Sequence, residues 1–437
     1  MRKKLGILAL TAVLGTGAYA ASIDHIQTYT PEYLGNQAQN GMINNVSVYY
    51  NPAGLMQLER GAYFHAGMQI AFGTEEMKYK GKTYEADLFQ PIPNFALYSV
   101  RDERAIFWTF GAIGGGGDLE YKDGVAGIAV VPDILAGLGI NGAQDMGSSA
   151  EGTNMYVQNT LGRAWMINDK LSMSIAARAV LGMRNLKGDL NVSTTSIGEL
   201  HADIDSERTA WGFGGQIGFN YKASNRLNLA LRYDTRVKMN FKASGSEEKT
   251  SLLTHDLGFS DFYPEYEPGV KYRRDLPALL AAGASYKVTD RWTMALSGNY
   301  YFNKDAKMDK TKGSSVLATL GSKHFEPEYD NGWEIAVGTE YKLTDKWTWI
   351  GSVNYADTGA KKNSYDDIEY ALNSIMVGTG LKYKPNDTME WVATVSHFFY
   401  DGKTGNYVEK YPGKTQVVEQ KYDKSISAVG LGFTKKF

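Results

Sequence analysis

Hydrophobic and polar residues alternate along most of the chain from Arg60 to the C-terminus. In one segment Leu227 and Leu231 fall on one face, whereas Asn228 and Arg232 fall on the other. A period of two indicates a β-strand with different environments on its two sides. We count fourteen strand candidates, at 61–73, 92–101, 104–115, 151–166, 171–187, 205–222, 227–243, 275–288, 292–306, 330–343, 347–360, 367–384, 389–402 and 417–437.

The connections between these candidates alternate in length. Short ones follow every second strand, at Asp102–Arg104, at Ile167–Lys170 and at four later turns. Long ones fall between them, at 74–91, 116–150, 244–274 and 307–329. Short turns at one end and long loops at the other are typical of bacterial outer-membrane proteins. The pattern predicts an all-β membrane protein, a 14-stranded antiparallel transmembrane β-barrel.

A short turn flanked by aromatic residues recurs four times in the second half of the chain. Asn, Asp, Ser and Lys suit its centre, where short polar side chains bond the local backbone or tolerate unusual dihedral angles. Aromatic rings repeated at one level are expected where a barrel meets the membrane interface. The copies are Tyr221–Leu227, Tyr286–Trp292, Tyr341–Trp347 and, more loosely, Tyr383–Trp391.

The N-terminus has the features of an export signal. Three basic residues, Arg2 to Lys4, precede the apolar stretch Leu5–Leu14, and Ala18–Ala20 fits a cleavage site. We therefore expect residues 1–20 to be a signal peptide. Residues 21–60 do not alternate, are too polar to face lipid and are too few to fold alone. We expect them to form a small N-terminal hatch inside the lumen of a barrel spanning 61–437.

The composition argues against several classes of function. The chain has no cysteine, which excludes disulfides, thiolate nucleophiles and thiolate metal sites. Its net charge of -2 gives no indication of nucleic-acid binding. The six histidines lack metal-ligand spacing, and the adjacent Ser396 and His397 point to opposite faces of a strand. We expect no enzymatic activity, no metal, no cofactor and no nucleic-acid partner.

Three stretches resemble the long-chain fatty acid transporter family of outer-membrane proteins, the FadL type, which includes aromatic hydrocarbon transporters. Tyr49–Gly54 contains an Asn-Pro-Ala like the one that ends the family's hatch. Trp211–Gly215, with the hairpin into Tyr233–Phe241, is similar to the family's sixth and seventh strands. Val429–Phe437 ends in an aromatic residue, like the terminal strands that the barrel-assembly machinery of Gram-negative bacteria recognises. The resemblance spans essentially the whole mature chain.

This resemblance implies a location and a mechanism. The protein would be a monomer in the bacterial outer membrane, surrounded by outer-membrane lipid. A hydrophobic small molecule or fatty acid would be captured by outer loops, held in a lumen pocket and released sideways where a kinked third strand opens the wall. Movement of the hatch N-terminus would open the path. Transfer of an alkyl chain from water is favourable by about 0.8 kcal/mol per CH₂, so uptake would be passive.

Two groups of residues bear on the lateral exit. The third strand candidate is rich in glycine, which weakens strands and often marks bulges. These glycines could hold an opening in the wall, or they could begin a flexible loop. The hatch motif would be the matching contact, or a plain turn. The strand residues are Gly111, Gly114, Gly115, Gly116 and Gly117, and the motif is Asn51, Pro52, Ala53 and Gly54.

Two outer loops are strongly apolar. Exposed apolar patches usually mark a binding surface, so we expect an outer hydrophobic groove. The alternative is that these loops fold inward and cap the barrel. In the family the capturing loops follow strands five and seven, whereas here the first apolar loop follows strand three. The groove candidates are Val130, Val131, Ile134, Leu135, Leu138, Leu257, Phe259, Phe262 and Tyr263.

Lumen-facing arginines are the natural partners of a substrate carboxylate, because a guanidinium fork matches carboxylate geometry. The head-group candidates are Arg163, Arg178, Arg184, Arg232 and Arg236. The alternative is that they pair with lumen acids such as Asp234, Glu334, Glu340 and Glu390.

Two other functions stay open at this stage. A general diffusion porin would have a water-filled lumen without an N-terminal plug, and it would carry large, steady ionic currents. A surface adhesin could use the long loops of the same barrel.

Overall fold

The computed structural model describes residues 19–20, 27–137, 139–252, 255–261, 263–309, 329–361, 370–411 and 414–437. Most of the predicted signal peptide lies outside these residues. Within the described ranges, no helix combines the length and the apolar character needed to cross a membrane.

Fourteen antiparallel strands close into a barrel, as predicted. The last strand pairs with the first, from Tyr63↔Lys436 to Tyr79↔Gln420. In chain order the strands are β1 Gly61–Tyr79, β2 Lys82–Val100, β3 Arg104–Tyr121, β4 Ser149–Met166, β5 Leu171–Thr194, β6 Gly198–Lys222, β7 Leu227–Asp234, β8 Leu279–Lys287, β9 Trp292–Tyr301, β10 Gly332–Lys342, β11 Trp347–Asp357, β12 Ser374–Asn386, β13 Met389–Tyr400 and β14 Lys414–Lys436.

Shorter elements occupy the N-terminal segment and the connections. The helices are α1 Pro31–Gly35, α2 Ser47–Tyr50, α3 Ala126–Ala129 and α4 Val131–Gly137. Turns of 3₁₀-helix lie at Pro52–Gln57, Phe259–Asp261, Pro264–Tyr266 and Asn303–Asp305. Short strands lie at Tyr19–Ala20, Gln144–Asp145, Asn240–Glu248, Thr250–Leu252, His255–Leu257, Lys271–Arg273 and Lys403–Tyr411.

Two predicted boundaries are wrong. The stretch 74–91 is not a long loop, because β1 and β2 continue through it and meet at a tight turn. Lys80 and Gly81 form that turn with φ of 47° and 84°, which suits a two-residue hairpin with left-handed central residues. The candidate at 227–243 is interrupted, since β7 ends at Asp234 and pairing with β6 resumes further along, on Asn240–Glu248.

The alternation of faces is confirmed. On β9 the side chains of Met294 and Leu296 are exposed on the outside, whereas Ser297 and Asn299 are buried on the inside. On β7 the buried inner position is taken by Arg232. An arginine on a lipid-facing surface costs about 2–4 kcal/mol at mid-bilayer, which explains why the buried arginines point inward.

The repeated turns are hairpins that share one side-chain cap. In each copy the third residue after the tyrosine accepts backbone N–H groups of the turn. Thr289 Oγ1 accepts from Trp292 at 3.1 Å, and Ser224 Oγ accepts from Leu227 at 3.0 Å. Asn386 plays this part in the looser fourth copy, with 3.0 Å to the N–H of Thr388. The cap explains why Ser, Thr and Asn recur at this position.

Residues 27–58, called the hatch segment below, lie against the inner wall. Asn40 Nδ2 donates to Asn299 Oδ1 on β9 at 2.9 Å, and the Gln37 N–H donates to Ser352 Oγ on β11 at 3.0 Å. The approach is close enough that a Cβ added to Gly378 of β12 would lie 1.9 Å from the Leu34 carbonyl oxygen. Glycine on the wall therefore lets the hatch backbone pack directly onto strands.

Candidate functional site

The barrel wall is interrupted between β2 and β3. Among the described residues, pairing of these strands runs only from Val100↔Ala105 to Asn94↔Gly111. Beyond that point β3 pairs with β4, and its register shifts at Ala112/Gly114 and at Gly115/Asp118. The facing part of β2 carries Pro91 and Pro93, which have no N–H to donate to a ladder. We call this gap the wall opening.

The predicted glycine run lies at the wall opening and belongs to β3 itself. Gly115 has φ of +120°, and a Cβ there would lie 2.3 Å from the Asn154 carbonyl oxygen, so glycine is required. A Cβ at Gly114 would meet no atom within 4 Å. Gly116 and Gly117 pair with Ala20 and Tyr19. This pairing uses the edge of β3 that β2 leaves free, since an unpaired strand edge can pair with another extended segment.

An apolar cavity of about 70 Å³, called the opening cavity below, lies directly behind the wall opening. The hatch segment supplies Tyr29 and Leu34 to its lining. Mostly apolar walls with few polar groups are typical of sites for hydrophobic ligands. The wall strands contribute Gln69, Ala71, Gln90, Ile92, Ala112, Gly114, Gly115, Phe398, Tyr400, Ile426 and Ala428.

A second cavity of about 40 Å³, called the polar cavity below, shares Tyr29, Phe398 and Tyr400 with the first. The Phe398 and Tyr400 rings stack at 6.0 Å, and Tyr29 stands edge-on to Tyr33 at 5.3 Å. These three shared rings form a partition between the two cavities. The polar side chains lining the second cavity are Glu334, Asn354, Thr358, Ser374 and Lys424.

The hatch motif contacts a different part of the wall from the one predicted. Asn51 Nδ2 donates to Asn220 Oδ1 on β6 at 2.7 Å, and Ser172 Oγ on β5 donates to the Ala53 carbonyl at 2.7 Å. Asn51 also accepts the Gly54 N–H at 3.3 Å, which opens the 3₁₀ turn that includes Pro52. The motif therefore fixes the hatch to β5 and β6. The hatch residues near the glycines of β3 are instead Thr28 and Tyr29.

Three of the five arginine candidates, Arg178, Arg184 and Arg232, are buried. Arg232 donates to the carbonyls of Tyr49 and Tyr50, both at 2.8 Å, and lies 3.3 Å from Asp234 Oδ1. The predicted alternative, pairing with a lumen acid, holds for Arg232. Arg178 donates to Gln158 Oε1 at 2.9 Å and to the Thr235 carbonyl at 3.2 Å. Arg184 is the third, at 4% exposure.

The other two candidates do not face the lumen cavities. Arg163 is exposed on the outer surface, where its guanidinium lies 5.8 Å from the Trp165 ring. Its predicted lumen position is therefore wrong. Arg236 is exposed and donates to the Asp305 carbonyl at 2.6 Å, with Asp275 3.6 Å away.

Arg208 on β6 is a buried arginine that the list of candidates missed. It is 0% exposed and lies directly opposite Arg184 on β5. Its guanidinium lies 4.5 Å from the Tyr266 ring and 5.0 Å from the Tyr272 ring. Within the described residues none of its three nitrogens has a hydrogen-bond partner. The signal was present, because the alternation that places Trp211 outside places Arg208 inside.

The aromatic residues around Arg208 cannot neutralise it near neutral pH. Burial, followed by the nearby Glu265 carboxylate, raises the pKa of Tyr272 to about 12, so this phenol stays uncharged. The Glu265 carboxylate lies near Arg208, but within the described residues no acid hydrogen-bonds to its nitrogens, so this buried guanidinium facing neutral rings and a second arginine can still bind an anion. This arginine pair is therefore a candidate head-group site.

The two apolar outer loops come together, but as a cap rather than an open groove. Val131, Leu135 and Leu257 are at most 1% exposed and belong to one large buried cluster. The cluster also includes Tyr84 on the outer part of β2. Val130, Ile134, Phe259 and Tyr263 are buried in it too, while Leu138 and Phe262 lie outside the described residues. The predicted exposed groove is therefore wrong for the residues that the structure describes.

Comparison with known families decides the assignment. The family model described as "Outer membrane protein transport protein (OMPP1/FadL/TodX)" matches residues 142–437. The chain belongs to this family. The family places the protein in the outer membrane and supports uptake of hydrophobic compounds. Its members are transport channels rather than enzymes.

Individual relatives of the family are distant. A "Long-chain fatty acid transport protein" of Salmonella typhi is 22% identical over 390 residues, or 81% of this chain and 82% of that protein. A "47 kDa outer membrane protein" of Pasteurella multocida is 27% identical over 184 residues, which is 41% of this chain and 42% of that protein. The match therefore spans less than half of the Pasteurella protein.

Solved structures of the same family share the fold. A FadL homologue of Pseudomonas aeruginosa superposes with a TM-score of 0.68 at 15% identity, covering 97% of this chain and 100% of its own. The Pseudomonas putida toluene transporter TodX superposes with a TM-score of 0.60 at 15% identity, covering 90% of this chain and 94% of its own.

Proposed function

We propose that this protein takes up long-chain fatty acids passively and releases them sideways into the membrane through the wall opening. The observation that carries this proposal is the opening cavity, which lies directly behind the break in β2–β3 pairing. An apolar space beside a gap in a barrel wall offers an alkyl chain a route into hydrocarbon. Burial of that chain supplies about 0.8 kcal/mol per CH₂, so no other energy source is needed.

Entry would use the buried arginine pair near the outer cap. Arg208 has no hydrogen-bond partner within the described residues and faces Arg184 across the strand pair. A carboxylate can accept bidentate hydrogen bonds from a guanidinium, which would replace the hydration that Arg208 has lost. The apolar cap would hold the alkyl chain while the head group sits on the arginines.

Passage would require the hatch to move. The opening cavity has a volume of about 70 Å³. A dry cavity that binds benzene measures about 150 Å³, so the opening cavity must enlarge before an alkyl chain can enter it. Tyr29 lines both cavities, so its displacement would join them. The anchored part of the hatch segment, held by Asn51 and Arg232, would stay in place.

The remaining assignments follow the same proposal. The segment 1–20 would be removed as a signal peptide, 21–60 would be the hatch and 61–437 the barrel. The aromatic terminal strand would be recognised by the barrel-assembly machinery, and the protein would act as a monomer in outer-membrane lipid. The contacts of the hatch segment with the inner wall speak against a general porin, and adhesion through the outer loops would be a separate role.

Substitution of Gly114 by Phe tests the lateral exit. An added Cβ there would meet no atom within 4 Å, and Gly114 lines the opening cavity, so we expect a phenyl ring at this position to fill the wall opening. We expect uptake of labelled oleate into vesicles to fall at least about tenfold. The control is Gly298→Phe on β9, where an added Cβ would meet only the Glu334 carbonyl oxygen, at 3.8 Å. Equal uptake by both variants would overturn the lateral route.

Deletion of Ser22–Tyr29 tests the hatch. We expect impaired uptake with an intact barrel, measured by vesicle uptake and by the heat-dependent mobility of the folded protein on gels.

Single-channel recording distinguishes the proposed transporter from a general porin, because a large steady current through the intact protein would contradict a plugged lumen.

A further inference from the structure

Glu334 gives the polar cavity an acceptor that is only partly used. Its Oε1 accepts from Tyr301 Oη at 2.5 Å and from Asn299 Nδ2 at 2.7 Å, and its Oε2 accepts from Asn354 Nδ2 at 2.9 Å. An ionised carboxylate offers about four acceptor positions. One position on Oε2 therefore remains for a further donor, and Glu334 lines the cavity at 5% exposure.

Asn354 presents a second acceptor to the same space. Its amide nitrogen must point toward the Glu334 carboxylate to donate, which turns its Oδ1 away from it. That Oδ1 is buried and has no partner within the described residues. Buried polar atoms are normally hydrogen-bonded, so an unpartnered acceptor on a cavity wall calls for a donor. Asn299 is fixed in the same sense by the hatch residue Asn40, which donates to its Oδ1 at 2.9 Å.

The charges around the polar cavity disfavour an anion. Lys424 is the basic residue of its lining, but it donates to Glu75 Oε1 at 2.9 Å and both side chains are buried. That pair is neutral as a whole, and Glu334 is the acidic residue of the cavity lining. The other titratable groups facing this space are the phenols of Tyr29, Tyr301, Tyr370 and Tyr400.

We propose that the polar cavity binds the neutral, hydrogen-bond-donating end of an alkyl ligand: the hydroxyl of a fatty alcohol or the undissociated carboxyl of a fatty acid. The O–H would donate to Glu334 Oε2 or Asn354 Oδ1, and the alkyl chain would pass the Tyr29 partition into the opening cavity. This inference rests on the proposed function and names the ionisation state in which its substrate leaves.

The proposal gives the fatty acid a proton step between capture and release. At the arginine pair the head group is a carboxylate. On reaching Glu334 it takes one proton from hydronium of the bulk solution and becomes RCOOH, which leaves a water molecule, and no bond to carbon is made or broken. An uncharged acid then enters hydrocarbon without the cost of burying an ion. Two carboxyl groups that share a low-dielectric site cannot both ionise easily, which supports the protonated form.

Binding of matched ten-carbon ligands to the purified protein in nanodiscs tests the inference. The probes are decanol, decanoate and methyl decanoate, which differ in having a donor, a charge or neither. At neutral pH we expect decanol to bind about tenfold more tightly than the ester, since a hydrogen bond to a charged group contributes that much. Decanoate should bind the polar cavity weakly at neutral pH and more tightly at mildly acidic pH, while decanol binding stays constant.

Glu334→Gln removes the charge while keeping the size of the side chain. We expect this variant to lose the preference for decanol over decanoate. The control is Glu390→Gln, a buried lumen acid that is bound by Asn45 and Lys384 and does not line the polar cavity. Heat-dependent gel mobility checks that both variants fold, and the pH series on the unaltered protein tests the inference independently of any variant.

The outcomes separate this inference from the proposed function. If decanol binds no better than methyl decanoate, or if the part of decanoate binding that is lost in Glu334→Gln is the same at both pH values, the inference is overturned. If the intact protein moves no alkyl ligand into vesicles, the proposed function itself fails. Intact transport with an unchanged ligand order in Glu334→Gln overturns only the assignment of the polar cavity.

Discussion

Two regions of the barrel wall, the strands β9 to β13 and the strand pair β2–β3, share the alternation of inward and outward side chains. They differ in how much of their length is paired with the neighbouring strand. From β9 to β13 the ladders are continuous over nearly the full strand length, as in Trp292↔Tyr341 to Tyr301↔Gly332. Between β2 and β3 the ladder stops at Asn94↔Gly111, although both strands continue beyond it. The difference comes from residues with no N–H or no side chain. Proline and glycine residues can therefore produce an opening in a barrel wall without a change in the number of strands.

Glycine serves opposite purposes in the two regions. In the continuous wall, Gly338 and Gly378 lie against the hatch, where added Cβ atoms would fall 1.9 Å from Asn36 Oδ1 and from the Leu34 carbonyl oxygen. At the opening, Gly114 has free space around it and Gly115 carries an unusual backbone conformation. The first kind brings the plug close to the wall, and the second kind ends a ladder.

Proline in the continuous wall should have the largest effect. Val337→Pro on β10 removes a ladder donor from a strand paired on both sides, and a backbone group left unsatisfied within the bilayer costs several kcal/mol. We expect loss of the folded barrel in urea titrations followed by gel mobility. Val337→Ala at the same outward position is the control and should remain folded. A stable Val337→Pro barrel would mean that the two regions do not differ in their tolerance of proline.

A side chain at Gly378 should displace the hatch. Because the clash is with backbone rather than a flexible side chain, we expect a cost of about 1–3 kcal/mol for Gly378→Ala. The readout is faster proteolysis of the hatch segment and a higher single-channel conductance. Gly298→Ala, whose Cβ would have only an ordinary contact, should match the unaltered protein. Unchanged proteolysis of Gly378→Ala would contradict the close approach.

Gly115 and Gly114 should differ although they are neighbours. Gly115→Ala places a Cβ in a disfavoured backbone region and close to the Asn154 carbonyl oxygen, which we expect to cost about 1–3 kcal/mol. Gly114→Ala should change stability by no more than about 0.5 kcal/mol. Urea titration gives the free energy of unfolding of each variant. Equal losses of stability in the two variants would show that Gly114 and Gly115 do not have different roles.

The smallest effect is expected for the prolines on the opposite edge of the opening. Pro91→Ala and Pro93→Ala restore N–H groups where the described part of β3 offers no ladder partner. Unfolding free energies should therefore stay within about 0.5 kcal/mol of the unaltered protein. A clear gain in stability, with reduced uptake, would show that the restored donors close the gap.

The sequence was sufficient for the barrel because the lipid imposes a period of two on every spanning strand. It failed at 74–91, where the strands rise above the lipid and charged residues such as Glu76 and Glu85 sit on the outer face. That error also hid the cap, since the apolar loop packs on Met77 and Tyr84 of those extended strands. Whether a loop residue is exposed depends on such distant partners, which local patterns do not record.

The arginines illustrate the same limit at single positions. Arg163 has the same parity as the exposed Leu161, so strict alternation already placed it outside. Its place beside Trp165 explains why a charge is tolerated there. Parity also placed Arg208 inside, but its lack of a partner follows from the positions of Tyr266 and Tyr272 far along the chain.

The seam between the first and last strands sets the order in which the molecule can be built. The final residue donates its N–H to the Ala62 carbonyl at 2.8 Å, so the cylinder is completed only by the end of the chain. The hatch segment lies just before β1 and is already enclosed by that cylinder. We therefore expect the hatch segment to gather inside the open sheet before the first and last strands pair, because entry after closure would have to take place through one end of the barrel.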